Sequence, residues 1–350
     1  MGEAKGDVKL RQKMKDVLNE VQDDTNQQIN KRINQLQKII DHHLKTHEKE
    51  KGKAFQTVLQ EFLALLGSVL SVFDKSVYVD RCLEFFASFA AKIPISLDPD
   101  DAIKPETDLQ HSLRFAFVLL NISLTGCKAA DKAARLRSVQ LLGLLLDSLS
   151  AEKIDLDEEH WFAILAALEP RRKDKVPRIR ILAIQASKSF TLDDEDEDCV
   201  RVTKNILKIM KNDPSAEVRE AALKTIPISN ITLPRLLERT KDVSDSVRKR
   251  AFEILGDKVS IKAIRLEQRM DLLKRGLADT NDGVQQACRD SLLLQWLMSA
   301  HCNQGDILSF LKKLDVVCAD SVCVQVLNTI FQRYKAAQLV HDFKAHLDDK

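Results

Sequence analysis

The densest cluster of basic side chains in the sequence lies between residues 171 and 180. Arg171, Arg172, Lys173, Lys175 and Arg178 fall within this stretch, and a single acid interrupts them. Lysine and arginine side chains form charge-assisted hydrogen bonds with phosphate oxygens, so a row of them can follow a nucleic-acid backbone. We therefore predict that this cluster contacts a nucleic acid. The other interpretation, which the pattern leaves open, is that these side chains only solvate helix surfaces.

Two smaller basic groups follow along the chain. They comprise Arg235, Arg239 and Lys241, and then Arg248, Lys249 and Arg250. Each group lies near a predicted turn between two helices, so stacked helix pairs would place all three groups along one edge. Because the formal net charge of the whole chain is only +2, nucleic-acid binding would depend on this local edge and would weaken steeply with salt.

Motifs for catalysis or cofactor binding are missing from the sequence. It contains no GxGxxG, GxxxxGK[ST] or GxSxG string, which are the usual phosphate cradles and the hydrolase elbow. His43 and His47 have a spacing that can bind a metal, but no third ligand follows nearby. The seven cysteines form no CxxC pair, which is typical of a reduced intracellular protein. We predict a protein that is not an enzyme and has no cofactor, metal or small-molecule substrate.

Helical periodicity dominates the chain from Phe55 onward. Val58, Phe62, Leu66, Val69 and Phe73 recur at helical spacing, and no stretch alternates in the manner of a strand. The chain has only 10 glycines and 8 prolines, which disfavours the many tight turns of β-sandwiches and barrels. The apolar runs are too short to cross a membrane. These features predict an all-α protein built from antiparallel helix pairs.

Four predicted turns share one pattern: an Asp, an aliphatic residue five positions later, usually Arg six later, and a small residue nine later. The copies are Asp174/Ile179/Arg180/Ala183, Asp213/Val218/Arg219/Ala222, Asp242/Val247/Arg248/Ala251 and Asp279/Val284/Gln285/Cys288. They recur at roughly 30- to 40-residue intervals, as in a two-helix repeat. Weaker copies are expected at Asp131/Leu136/Arg137 and around Asp315 with Val322.

Each position of this pattern has a physical role. The Asp can accept hydrogen bonds from free main-chain N–H groups where the next helix begins. The aliphatic and small residues face one core and let helices approach closely. The Arg points off that face toward the neighbouring turn, where an Asp could pair with it, so stacked copies would form an Asp/Arg ladder. The pattern is typical of HEAT-type repeats and predicts an α-solenoid, an armadillo-like superhelix.

The predicted domain organisation has three parts. Residues 1–53 form a polar N-terminal helical segment, residues 54–335 form the solenoid, and residues 336–350 form a tail or the start of a further repeat. Two interpretations of the first part stay open. It could be a cap on the first repeat or a short self-associating coiled coil.

Local strings within the repeats resemble the N-terminal HEAT-repeat region of the condensin subunit 3 family, also called the condensin G subunit. The resemblance is strongest between residues 233 and 314, in the turn 239–243 (RTKDV) and in the segment 295–297 (QWL). Upstream, the segment 173–177 (KDKVP) with Arg180, and the segment 212–219 (NDPSAEVR), also follow the family pattern. The match covers about residues 55–331.

This resemblance implies a non-enzymatic subunit of a chromosome-condensing complex that acts in mitosis. In the family, the solenoid holds a segment of the kleisin subunit and encloses duplex DNA with it, and ATP hydrolysis belongs to the SMC pair. The implied location is the nucleus and mitotic chromosomes, with a cytoplasmic pool. The full set of candidate DNA contacts is Lys75, Arg81, Arg171, Arg172, Lys173, Lys175, Arg178, Lys241 and Lys249.

Family members are about three times longer than this chain. The alternative to the condensin interpretation is a generic HEAT-repeat scaffold, of the transport or phosphatase adaptor type, without DNA binding.

Overall fold

The computed structural model describes residues 5–23, 28–47, 50–93, 114–191, 195–302, 305–316 and 319–332. The predicted tail at 336–350 lies outside these ranges. Within them the chain forms helices and no strand. The α-helices are α1 Lys5–Asp23, α2 Ile29–Thr46, α3 Lys51–Leu70, α4 Val77–Lys92, α5 Arg114–Gly126, α6 Lys132–Ala151, α7 Glu158–Arg171, α8 Pro177–Ala186, α9 Glu197–Asn212, α10 Ala216–Thr225, α11 Leu233–Glu238, α12 Asp245–Lys258, α13 Leu266–Leu277, α14 Asp282–Ala287, α15 Leu294–Met298, α16 Ile307–Leu311 and α17 Asp320–Phe331.

The chain divides into two compact units. Unit 1 spans Met1–Ser189 and unit 2 spans Phe190–Lys350. In each unit, antiparallel helix pairs follow one another, and the second helices of consecutive pairs pack on each other. In unit 1 this layer comprises α4, α6 and α8, and in unit 2 it comprises α10, α12 and α14.

Helix starts are set by side-chain caps. Asp131, Asp157 and Asp196 each accept a hydrogen bond from the main-chain N–H three residues later, at 2.9, 2.9 and 2.7 Å. Ser76 caps α4 in the same way, and Asn281 caps α14. These caps satisfy donors that the helices themselves leave free, and they fix where each turn ends.

Unit 1 has an aromatic core at its N-terminal end. The Phe62 ring centroid lies 4.9 Å from that of Phe86 and 4.8 Å from that of Phe115, both edge-on. Helix α1 packs against α2, α3 and α4. The apolar face of α1, including Met14 and Val17, is buried there. That face, on which the coiled-coil alternative depended, is therefore covered within the chain itself.

Unit 2 has an unusually close contact between two second helices. A π-helical turn at Cys288–Leu293 joins α14 to α15. A Cβ atom added at Gly256 of α12 would lie 1.7 Å from the carbonyl oxygen of Ser291 in this turn. Only glycine permits the two backbones to approach so closely. Trp296 is buried after the turn and donates from Nε1 to the Val259 carbonyl oxygen at 3.1 Å.

Candidate nucleic-acid interface

In unit 2 the repeated Asp and Arg residues form ion pairs between consecutive helix pairs. Arg219 donates from Nε and Nη2 to both carboxylate oxygens of Asp242, at 3.0 and 2.7 Å. Arg248 does the same to Asp279, at 2.8 and 2.8 Å. Each arginine also donates from Nη1 to the carbonyl oxygen six residues earlier, that of Asp213 or Asp242, at 2.8 and 3.0 Å. One guanidinium group thus ties its own turn to the next one.

Unit 1 contains the same geometry at Arg135. Its Nε atom lies 3.0 Å from Asp174 Oδ2, and its Nη1 atom donates to the Ala129 carbonyl oxygen at 3.1 Å. Arg180 donates from Nη1 to the Asp174 carbonyl oxygen at 2.9 Å. The predicted copy Asp131/Leu136/Arg137 is therefore wrong by two residues, because the Arg position of the pattern is Arg135 and its Asp position is occupied by Ala129.

Arg137 has a different structural role. Its side chain is fully buried and donates to the carbonyl oxygens of Val72 and Asp74, at 2.7 and 2.6 Å. Its Nη1 atom lies 2.9 Å from the carboxylate of Asp80. Burial lowers the pKa of Arg137, and the hydrogen bond and charge of Asp80 oppose that shift. Arg137 thereby fixes the turn 71–76 against α6.

The ladder carboxylates are held in their charged form. Burial alone would raise the pKa of Asp242, but the Arg219 guanidinium and the Ser244 N–H bring the pKa below its ordinary value. At Asp279 the hydrogen bond from Arg248 lowers the pKa, against a smaller effect of burial. Asp174 resembles Asp242: burial opposes ionisation, and the Val176 N–H and the arginine partners outweigh it. The ladder arginines are thus neutralised by carboxylates and are not available to phosphates.

Three turns of unit 1 meet at Phe73, and together they present exposed cations. Lys132 Nζ lies 4.4 Å from the centroid of the Phe73 ring, and Arg178 Nη1 donates to the Phe73 carbonyl oxygen at 3.4 Å. The Arg135–Asp174 pair links the turns 127–131 and 172–176. We call the basic side chains of these turns the basic turn edge. Its members are Lys75, Lys128, Lys132, Lys173, Lys175 and Arg178.

The lysines of the basic turn edge are exposed to solvent. Lys173 lies 3.8 Å from Glu169, at the outer limit of an ion pair. Among the residues that the structure describes, neither Lys75 nor Lys175 pairs with a carboxylate. Arg178 is half-buried, with its Nη1 atom on the Phe73 carbonyl oxygen. The same turns carry two exposed acids, Asp74 and Asp131, so the six basic side chains of the edge leave it with a net positive charge.

Three predicted DNA contacts do not fit this surface. The prediction for Arg172 is wrong because its side chain is only 3% exposed and donates to the buried Ser187 hydroxyl at 2.9 Å. Arg171 lies 2.5 Å from Asp174 and is neutralised by it. Arg81 donates to the Gln22 carbonyl oxygen at 2.6 Å, so it holds the end of α1.

The predicted contacts of unit 2 are more scattered. Lys241 lies 3.3 Å from Asp271, whose pKa is lowered because the ion pairs with Arg275 and Lys241 outweigh burial. Lys249 is exposed on α12. Val243, which follows the ladder Asp as Lys175 does in unit 1, is 93% exposed. Unit 2 thus lacks a cluster equivalent to the basic turn edge within its described residues.

Comparison with known proteins places these features in a family. Condensin complex subunit 3 of Homo sapiens is 36% identical over 281 residues, which cover 80% of this chain and 26% of the relative. The Xenopus laevis protein of the same name is 31% identical over 313 residues, covering 89% of this chain and 29% of the relative. The chain belongs to the condensin subunit 3 family. The resemblance first seen in its turn strings is confirmed, although no family model matches the chain.

The fold agrees with a solved condensin structure. The crystal structure of the S. pombe condensin Cnd3-Cnd2 subcomplex aligns with a TM-score of 0.70 at 24% identity, covering 91% of this chain and 37% of that chain. The predicted all-α, HEAT-type solenoid is confirmed. The chain spans about a quarter to a third of the length of the condensin relatives it matches. Within the described ranges, no helix has the length and apolar content that crossing a bilayer requires.

A second feature of this condensin-family chain is a groove of about 450 Å³ across the second helices of unit 2. Arg250 lies within it, 3.3 Å from Glu220 and 2.5 Å from Glu253. The groove contains basic side chains, acidic side chains and the amide of Gln295. Such a mixture can pair with the charges and main-chain groups of a polypeptide. The lining residues are Lys224, Arg250, Glu253, Ile254, Asp257, Lys258, Asp290, Ser291 and Gln295.

Sequence reasoning missed Lys128 and Lys132 as candidate contacts. The turn between them carries Ala129 where other turns carry the repeated Asp, so the pattern was aligned on Asp131 instead. The signal that could have found them is a lysine before and a lysine after the Asp position, which Lys128 and Lys132 share with Lys173 and Lys175.

Proposed function

We propose that this chain is a non-enzymatic HEAT-repeat subunit of a condensin-type complex that binds duplex DNA and the kleisin subunit in mitotic chromosome condensation. Family membership supports the complex. The basic turn edge supports the DNA contact, and it is the single observation on which the DNA proposal depends. Through the kleisin the chain joins the SMC pair, and it acts in the nucleus and on mitotic chromosomes, with a cytoplasmic pool.

The DNA contact is proposed for the lysines because the arginines of the ladder are already paired with carboxylates. The ladder arginines pair with Asp174, Asp242 and Asp279, whereas Lys75 and Lys175 project into solvent beside Lys132 and Arg178. Exposed lysines on adjacent turns can reach phosphates along one stretch of duplex without a base contact. Binding should therefore be strongly salt-dependent and nearly independent of sequence.

The kleisin contact is proposed for the second helices. The related S. pombe structure joins Cnd3 with Cnd2, and the groove of unit 2 offers charges of both signs with Gln295 at one end. An extended kleisin segment could pair with these charges and donate main-chain hydrogen bonds to them. This proposal is independent of the DNA contact, because the groove and the basic turn edge share no residue.

The DNA proposal is tested by fluorescence anisotropy of a labelled duplex across a salt series. The variant Lys75→Glu/Lys132→Glu/Lys175→Glu should weaken binding strongly and reduce the magnitude of the salt slope by about 3, since each lost phosphate contact removes about 0.9. The matched control is Lys204→Glu/Lys208→Glu/Lys262→Glu, which reverses three exposed lysines of unit 2. Equal loss in both variants would show that only net charge matters, and absence of duplex binding at low salt would refute the DNA role.

The kleisin proposal is tested by isothermal titration with peptides that tile a condensin kleisin. The variant Asp257→Lys/Lys258→Glu/Gln295→Ala keeps the net charge while exchanging the charges of the groove. We expect it to abolish binding of the kleisin peptide and to leave duplex affinity intact. Unchanged peptide binding would place the kleisin contact elsewhere.

A further inference from the structure

A second groove, of about 960 Å³, lies on the outer face of the α1–α2 hairpin in unit 1. Opposite it, the inner face of the hairpin is buried, with Val17 of α1 and Ile33 and Ile40 of α2 at 2% exposure or less. The residues that line the groove therefore lie on the face of the hairpin that does not pack into the core. Its lining comprises Lys13, Asn30, Lys31, Asn34, Gln35, Lys38, Ile39 and His42.

The groove presents hydrogen-bond donors and positive charge. The Asn30 side-chain oxygen accepts from Lys92 Nζ at 2.6 Å, and the Gln35 side-chain oxygen accepts from Arg32 Nη1 at 3.1 Å. With these oxygens occupied, the amide –NH2 groups are left to donate to a ligand. The ammonium groups of Lys13, Lys31 and Lys38 add to them.

Among the residues that the structure describes, those that line this groove include no carboxylate. Asp16 on α1 accepts a hydrogen bond from Gln12 at 2.7 Å, and Glu20 forms an ion pair with Arg32. Asp41 is exposed on the adjoining face of α2. The lysines of the groove therefore face a ligand with little internal compensation, which is typical of a site for an anionic partner.

The dimensions and chemistry favour a polypeptide. From Lys31 to His42 the groove follows α2 for about 17 Å at 1.5 Å per residue, which accommodates about five residues of an extended peptide. Ile39 is half-buried in the wall and can contact an apolar side chain, and exposed Asn34 can both donate to and accept from a peptide backbone. The sugar-phosphate backbone of a duplex offers acceptor oxygens but neither an apolar side chain nor a main-chain N–H donor.

We propose that the α1–α2 groove binds an extended acidic segment of another polypeptide, with its carboxylates on Lys13, Lys31 and Lys38. This site is separate from the basic turn edge and from the groove of unit 2. It assigns a partner-binding role to the N-terminal hairpin in addition to its packing on α3 and α4.

The test uses the whole chain and a fluorescein-labelled ten-residue peptide with Glu at alternate positions and Leu or Ser between. A peptide with Gln in place of each Glu is the ligand control. The variant Lys31→Glu/Lys38→Glu should raise the Kd for the acidic peptide at least about tenfold, because two attractive contacts become repulsive. Lys31→Gln/Lys38→Gln should give a smaller loss, and circular dichroism verifies the fold of each variant.

The matched control variant is Lys173→Glu/Lys175→Glu on the basic turn edge. It should retain the acidic peptide and lose duplex DNA, whereas Lys31→Glu/Lys38→Glu should retain duplex DNA. The proposal is overturned if the wild-type chain does not bind the acidic peptide, or if the Gln peptide binds equally well. It is also overturned if the turn-edge variant loses the peptide to the same extent, or if the groove variant loses duplex affinity instead.

Discussion

The turns of the two units are built on the same Asp/Arg geometry, yet they differ in what they expose. Arg135 of unit 1 and Arg219 of unit 2 each tie a turn to the next through an Asp and a carbonyl oxygen. In unit 1, Lys175 follows the ladder Asp, whereas in unit 2 Val243 takes that position. The comparison separates two uses of positive charge: arginines hold the repeats together, and lysines are left for a ligand.

The preference for arginine in the ladder has a physical cause. A guanidinium group offers several donors in a fixed plane, so it can bind both oxygens of Asp242 and a carbonyl oxygen at once. A lysine offers one ammonium on a flexible stem and stays hydrated. Lysines are therefore suited to mobile contacts with phosphates along a backbone, where no fixed geometry is required.

Breaking the ladder of unit 2 should have the largest effect on stability. Arg219→Ala removes the bidentate partner of the almost buried carboxylate of Asp242 and leaves it with Arg239 and the Ser244 N–H, and we expect a loss of about 2 to 3 kcal/mol in the free energy of unfolding. Chemical denaturation monitored by circular dichroism measures this loss. The control is Arg235→Ala, which removes an arginine with an exposed ion pair to Glu238 and should cost less than about 1 kcal/mol. Similar losses in the two variants would contradict a structural role for the ladder.

A Gly→Ala substitution in a second helix should destabilise unit 2 more than unit 1. Gly256→Ala in unit 2 would place a Cβ 1.7 Å from the Ser291 carbonyl oxygen, so the backbones must separate at a cost of about 2 kcal/mol. Gly143→Ala in unit 1 would place its Cβ 3.3 Å from the Ala186 Cβ, which a small shift relieves. Thermal unfolding should therefore show a marked decrease in Tm for the first variant and little change for the second. Equal Tm values would mean that the π-helical turn moves aside freely.

Much of this organisation could be predicted from the sequence, because it depends on spacing. The step from Asp242 to Arg248 places the arginine off the buried face of α12 and toward the next turn, where Asp279 lies. The burial of Arg172 could not be predicted, because it depends on how α7 ends and on the proximity of Ser187, fifteen residues later. The register of the turn 127–131 could not be predicted either, because the pattern is recognised by its Asp and this turn has Ala129 at that position.

Acid should weaken the ladder in both units. The folded-state pKa values of Asp174, Asp242 and Asp279 lie below their ordinary values, so the ion pairs stabilise the fold fully above the ordinary value of 3.8. That contribution is lost as pH falls from about 4 through the folded pKa values, since the unfolded chain then binds protons first.

The measurement is the free energy of unfolding at pH 7 and at pH 3. Asp242→Asn should lower it by about 1 to 2 kcal/mol at pH 7 and by less at pH 3, because the unfolded wild-type chain then binds a proton at this carboxyl and the ion pair contributes less to stability. The exposed Asp282 provides the control, as Asp282→Asn removes a carboxylate of unit 2 outside the ladder. A difference between Asp242→Asn and wild type that is the same at both pH values would mean that the charge of Asp242 does not stabilise the fold.

Exchanging the residue that follows the ladder Asp gives the smallest and most specific test of the comparison. Lys175→Val gives unit 1 the side chain found in unit 2 and should lower duplex affinity by about twofold to fivefold, with the salt slope reduced by about 1. Val243→Lys makes the opposite change at a site that is 93% exposed. If net charge alone governed binding, this second variant would raise affinity by as much as the first lowers it. The cations near Val243 are already paired: Lys241 with Asp271, Arg239 with Asp242, and Arg248 with Asp279. We therefore expect Val243→Lys to raise duplex affinity by less than about twofold. A gain as large as the loss in Lys175→Val would mean that the turns of the two units do not differ in DNA binding.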